Sequence, residues 1–206
     1  ANVTSDIPIV ATAVTDYKTA KLVKDDAKPG TNVTGTTDMN PVADQLDLLL
    51  KLVPNAKTIG TIYCSSEVNS QLQVELLKKA AAAKGITVKE ATVSTVNDIQ
   101  QAARSLAGDV QAVYVPTDNV LASAIPTLIS VTEEAKLPVI CAEGGMVRAG
   151  GLATLGVDYY KLGFQTGVMA ADILSGKAKP ADMAIQAQKE FKPTINLKEA
   201  AKIGLK

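Results

Sequence analysis

The sequence predicts an α/β fold of doubly wound parallel sheets, and two observations carry that expectation. β-branched apolar runs alternate with segments of helical periodicity along most of the chain, the pattern of consecutive βαβ units. Apolar residues make up 47% of the 206 residues while aromatics are 3% and Trp is absent. The core must therefore be built from Ala, Val, Ile and Leu, which suits close helix–sheet layers.

Taken in order, Ile7 to Val14 reads as a buried strand, with Thr15 and Asp16 at its carboxyl end. Residues 17–28 read as a short helix stopped by Pro29-Gly30, and Asn32 to Thr36 as a second short strand. Asp38 stands where an N-cap belongs. Leu46, Leu49, Leu50 and Val53 follow at helical spacing until Pro54-Asn55. Thr58 to Cys64 is a β-branched strand. The polar run Ser65-Ser66-Glu67-Val68-Asn69-Ser70 leads into a helix over 69–84 that ends at Gly85. Ile86 to Val93 is the next strand, and a helix over 97–107 begins at Thr95 or Asn97. Ala112 to Val115 is a strand, followed by Thr117-Asp118-Asn119 and a helix over 119–135. Pro138 to Cys141 is a strand, Glu143 to Gly151 a loop, and Leu152 to Val157 a strand. A helix over 159–175, an extended stretch over 189–195 and a terminal helix over 197–203 complete the pattern.

Five strands from Thr58 onward make one complete doubly wound domain. The two strands before residue 37 cannot cover both faces of a sheet. They either join the edge of the larger domain or belong to a second domain whose beginning is missing.

Composition excludes several functions. Lys plus Arg equals Asp plus Glu, at 21 each, and no basic stripe interleaves with aromatics, so nucleic-acid binding is not expected. His is absent, which removes the commonest general base and zinc ligand. Cys64 and Cys141 are too few for a Cys-rich metal site and read as free thiols packed as small hydrophobes. No cofactor or metal is expected. No apolar run approaches the ~20 residues of a membrane span. No charged-then-apolar signal opens the chain, so it reads as a processed form or a fragment. No nucleophile elbow or phosphate loop occurs, and Gly144-Gly145 with Gly150-Gly151 has the wrong spacing for a dinucleotide fingerprint. Cys64 beside Ser65 has no His to activate it. The chain does not read as an enzyme.

In an open parallel sheet, ligands bind beyond the carboxyl ends of the strands where the strand order reverses. For the order 2-1-3-4-5 that point lies between the first and third strands, hence between the loops 65–70 and 117–119. Helix amides there favour a carboxylate, and Asp118 and Glu67 suit an ammonium. The two loops together fit a zwitterion. Helix capping is the competing reading for each of these residues, and for Glu143 and Asp158.

IPIVATAVTD (7–16), PGTNVTGTTD (29–38), IYCSSEVNS (62–70), VYVPTDN (113–119), GGLATLGVDYYKLGFQTGVMAADILSGKAKPAD (150–182) and INLKEAAKIGL (195–205) occur in this order. Together they resemble the ABC-transporter substrate-binding family that takes up aromatic amino acids including tryptophan, a branch of the type I periplasmic-binding-protein architecture. The resemblance covers almost the whole chain and lies in the ordered set, since no single motif is decisive. It implies two Rossmann-like lobes joined by crossovers near 34–38, 154–158 and 186–190. Residues 1–36 and 158–186 would form a partial lobe one, lacking its N-terminal part, and 37–157 with 187–206 a complete lobe two.

By matching segment, the resemblance assigns ligand contacts to Thr15 and Asp16, to Ser65, Ser66, Glu67, Asn69 and Ser70, to Thr117, Asp118 and Asn119, and to Glu143, Asp158 and Tyr159. It implies an extracytoplasmic solute-binding component of an ABC importer, in the periplasm or as a surface lipoprotein. Such a protein binds an aromatic amino acid in an interlobe cleft by hinge closure and delivers it to a membrane permease. An incomplete lobe also leaves a surface for self-association. Two other readings share the architecture: the ligand-sensing core of a transcription regulator, and an α/β enzyme acting on a small amide or amino acid.

Overall fold

The structure is a computed structural model that describes residues 3–205. In chain order run β1 (Ile9–Ala11), β2 (Val33–Thr37), α1 (Val42–Leu52), β3 (Thr58–Cys64), α2 (Val68–Ala83), β4 (Thr87–Val93) and α3 (Ile99–Ala107). Then come β5 (Val113–Val115), α4 (Asn119–Ser123), α5 (Ile125–Glu134), β6 (Val139–Cys141), α6 (Gly144–Arg148) and β7 (Ala153–Gly156). Last are α7 (Tyr159–Leu174), β8 (Gln186–Ala187), β9 (Lys192–Ile195) and α8 (Leu197–Ile203). The chain divides into two compact units. Unit 1 is Ala1–Met39 with Val157–Phe191, and unit 2 is Asn40–Gly156 with Lys192–Lys206.

Unit 2 is built on a sheet of order β4-β3-β5-β6-β7-β9. The first five strands are parallel, so within the unit the order is the expected 2-1-3-4-5. β9 runs antiparallel against β7, pairing Ala153 with Ile195 and Gly156 with Lys192. Alternation along the strands separates two apolar layers. Val113 and Val115 pack with Ile62, and with Ile99 and Leu106 of α3 and Ile125 and Leu128 of α5. Tyr114 and Ile59 point the other way, onto Leu46 and Leu49 of α1 and Leu77 of α2.

Local chemistry sets the helix ends. Thr95 and Asp98 form a reciprocal capping box ahead of α3: Asn97 N donates to Thr95 Oγ1 at 3.3 Å and Thr95 N to Asp98 Oδ2 at 2.8 Å. Helix α2 ends where Gly85 takes φ +68° and Ile86 N donates back to the Ala81 carbonyl, a left-handed stop that glycine adopts without strain.

Unit 1 carries a three-stranded parallel sheet, β1-β2-β8, with α7 against β1 and β2. Its small core centres on Tyr17, Val23 and Val33. The Tyr17 hydroxyl donates to the carbonyls of Ala11 and Thr36, at 3.0 and 3.1 Å. Gly35, at φ +150°, permits this approach, because a Cβ there would overlap the Ala11 carbonyl and lie 2.5 Å from the Tyr17 hydroxyl oxygen.

Five sequence expectations differ from the structure. Residues 17–28 form turns rather than a helix, because Lys21 takes a left-handed φ of 56°. The first strand is confined to Ile9–Ala11, with Ala13 also left-handed. The expected helix over 119–135 is two, parted at Ala124, with Pro126 in the first turn of α5. The expected loop 143–151 contains α6, nucleated by the Glu143 side chain despite two glycines. Asp38 does not cap α1: that helix starts at Val42 with Pro41 at its N-cap, and Asp38 is buried in unit 1. Among the described residues no helix is long and apolar enough to cross a membrane.

Candidate functional site

In unit 2 the strand order reverses between β3 and β5, and their loops meet there through side chains. Asp118, 1% exposed, caps α4 by accepting from Leu121 N at 2.9 Å. It also accepts from Cys64 N at 2.7 Å and from the Ser70 hydroxyl at 2.8 Å. Burial raises its pKa, and these three donors only partly offset that effect. Its carboxylate is therefore held within the loop scaffold by three donors.

Glu67 reaches across to the other loop. Its oxygens accept from Asn119 N at 3.0 Å, Asn119 Nδ2 at 2.8 Å, Val120 N at 3.1 Å and Asn69 Nδ2 at 3.1 Å. Partial burial favours the neutral acid, but the donors outweigh it and its pKa falls. Glu67 is thus a held anion at the site.

Thr117 is gripped from four sides. Its N–H donates to Gln73 Oε1 at 3.0 Å, and its carbonyl accepts from Asn69 Nδ2 at 2.8 Å and the Ser70 hydroxyl at 3.2 Å. Its hydroxyl oxygen accepts from Asn40 Nδ2 at 3.1 Å. Ser65 and Ser66 are exposed beside this cluster, Ser65 N bonding the Val93 carbonyl and Ser66 Oγ lying 3.2 Å from Cys64 Sγ. The eight residues predicted in the two loops are therefore neighbours. Glu143 sits after β6 and caps α6 through Gly145 N and Met146 N.

Unit 1 holds the remaining candidates. The Thr15 hydroxyl donates to Asp38 Oδ1 at 2.8 Å and the Tyr159 hydroxyl to Asp38 Oδ2 at 3.0 Å. Asp16 caps a turn at Thr19 N, 2.6 Å. Asp158 caps α7 through Lys161 N at 3.2 Å, and its backbone is clasped by Gln188. A concavity of about 260 Å³ opens beside Thr15, Asp16, Tyr17, Asp26 and Met39.

Sequence reasoning missed Asp38, Asn40 and Gln73. Asp38 and Asn40 lie in a link whose partners are remote in sequence. Gln73 is inside a helix, where only its complete burial distinguishes it. Among the described residues no cluster of ligand side chains suits a metal ion.

A 2-1-3-4-5 sheet with polar switch-point loops, on a chain that also forms a second α/β unit, defines the type I periplasmic-binding-protein class. The chain belongs to the family of ABC transporter substrate binding proteins, whose sequence profile matches residues 1–206. It is 44% identical over 195 residues to the tyrosine-binding protein of Clostridioides difficile (strain R20291), covering 95% of this chain. The chain spans 56% of that relative's length. The structure of an ABC domain in complex with L-Trp from Streptococcus pneumoniae superposes with a TM-score of 0.94 at 41% identity, covering 100% of this chain and 71% of that one. A ligand-free, open substrate binding protein with adhesive properties from Clostridium difficile gives 0.79 at 44% identity, covering 100% and 69%.

Proposed function

We propose that this chain is the ligand-binding part of an extracytoplasmic solute receptor that delivers an aromatic amino acid to an ABC permease. The observation that carries this reading is the likeness, over 100% of the chain, to the protein crystallised with L-Trp. The 44% identity to a tyrosine-binding protein points to the same ligand class. The anionic Glu67 and the polar rim of Ser65, Ser66, Thr117 and Asn119 supply hydrogen-bond acceptors and donors for the two poles of a zwitterion. In unit 1, Thr15, Asp16, Asp158 and Tyr159 are proposed to add ligand contacts, as is Glu143 in unit 2. Charge-assisted hydrogen bonds are worth roughly 1.5–3 kcal/mol each, and micromolar affinity needs about 8 kcal/mol. Three or four such bonds with an apolar contact therefore suffice.

The reading involves no turnover. It also places the mature protein outside the cytoplasm, with a lipid anchor as one way of holding it at the membrane. Isothermal titration with L-Trp, L-Tyr and L-Phe tests it. Saturable binding of one or more, with no response to glucose, is expected. Tight sugar binding with no amino-acid response overturns it.

A further inference from the structure

We propose that Gln73 is a positioning residue for ligand binding, acting through Thr117 so that the Thr117 hydroxyl is preset to donate to the ligand. The proposal rests on the receptor reading above and names a determinant that reading does not contain. Gln73 lies within α2 and is completely buried. Its Oε1 accepts the Thr117 N–H at 3.0 Å, while its Nε2 has no hydrogen-bond partner among the described residues. The reverse amide orientation would set Nε2 against the Thr117 N–H, donor to donor, so Thr117 fixes which way the side chain lies.

A buried amide with an unmade donor is costly, and an apolar residue of the same length would avoid that cost. What glutamine supplies in exchange is the acceptor for one peptide N–H, at the residue where β5 gives way to the switch-point loop. Asn69 and Ser70 hold the carbonyl of the same residue. Asn40 donates to its hydroxyl oxygen, which directs the hydroxyl proton away from Asn40. Thr117 is half-exposed, and its hydroxyl donates to no protein acceptor among the described residues. Four neighbours thus fix one residue and leave one oriented donor over.

The test is a double-mutant cycle on the 206-residue chain, with Gln73→Met, Thr117→Val, Thr117→Ser and the double variant Gln73→Met/Thr117→Val. L-Trp is the titrant, melting is followed by circular dichroism, and exchange of the Thr117 amide is measured without amino acid. Gln73→Met removes the unmade donor while orphaning the Thr117 N–H, so melting should stay close to wild type. Affinity should fall about tenfold for Gln73→Met and for Thr117→Val, as loss of one oriented hydrogen bond predicts. Thr117→Ser should stay within about threefold. The double variant should lose no more than Thr117→Val alone, because both act through one hydroxyl. Multiplicative losses, or unchanged affinity in Gln73→Met, overturn the proposal. Exchange decides separately from ligand: a Thr117 amide no faster in Gln73→Met than in wild type overturns the positioning role. Absence of L-Trp, L-Tyr and L-Phe binding by the wild type instead overturns the receptor reading, and with it the role of the Thr117 hydroxyl.

Discussion

The Glu67 carboxylate receives both the backbone N–H and the side-chain amide of Asn119, at 3.0 and 2.8 Å, across a gap of 52 residues in sequence. This pair ties the loop after β3 to the loop after β5. Replacing Glu67 by Ala should destabilise unit 2 by about 1–2 kcal/mol, since the lost bonds are charge-assisted but partly exposed. The depressed pKa sets the sign with pH: this stabilisation is full above the unfolded value of 4.5 and is lost as pH falls through the lower folded value. Urea unfolding of wild type and Glu67→Ala should therefore differ at pH 7 and converge in strong acid.

Asp118→Asn should act on the fold rather than on ligand charge. An asparagine can accept two of the three bonds from Leu121 N, Cys64 N and Ser70, but its amide then faces a donor. A loss of roughly 2–4 kcal/mol is expected. A variant as stable as wild type that merely binds less ligand would contradict this placement.

Gly35→Ala should be severe in unit 1. A side chain at φ +150° is strained, and its Cβ collides with Ala11 and Tyr17. Strain and overpacking together suggest roughly 2–5 kcal/mol. Denaturant melts, with proteolysis mapping cleavage to residues 1–39, would report it.

Glu199 in α8 predicts a pH response of the opposite sign. It is 3% exposed, and burial, then its contact with Glu133, pushes its pKa up to about 7. Lys202 lies 2.5 Å from Glu133 and 3.8 Å from Glu199. Because the folded value is raised, the contribution of Glu199 is full below its unfolded value of 4.5 and is lost as pH rises through about 7. Glu133 is lowered, chiefly by Lys202, and opposes this trend in acid. Glu199→Gln should be more stable than wild type at pH 8 and should flatten the profile between pH 5 and 8. A steeper profile in the variant would refute the assignment.

Both thiols should be silent toward Ellman's reagent in the native protein and react on unfolding. Cys64 and Cys141 are free and buried, and burial, then the charge of Glu143, pushes the Cys141 thiol far from its reactive form.

Periodicity and turn chemistry made much of unit 2 legible. Leu46 and Leu49 mark the buried face of α1, and the β-branched run Thr58–Cys64 is β3 from end to end. Signals failed where a distant partner decides. Asp38 has the look of a cap, but its partners include Thr15 and Tyr159, the latter 121 residues away. The Gly144-Gly145 pair argues against a helix until Glu143 supplies the cap. At the site, the loop residues were legible as polar switch-point residues, whereas their division into scaffold and rim was not. Asp118 and Asn119 are adjacent and similar, yet one is buried and the other exposed. That contrast follows from loop packing that no local pattern encodes.

The antiparallel strand β9 has a consequence for synthesis. Unit 2 draws its edge strand and α8 from residues after Phe191, beyond the whole second stretch of unit 1. On the ribosome, a nascent chain that has emerged only to Gly156 has β7 with its outer edge unpaired. Lys192 to Ile195 must be translated before that edge is sealed. The larger unit, most of which precedes the second stretch of unit 1, is therefore the one finished last.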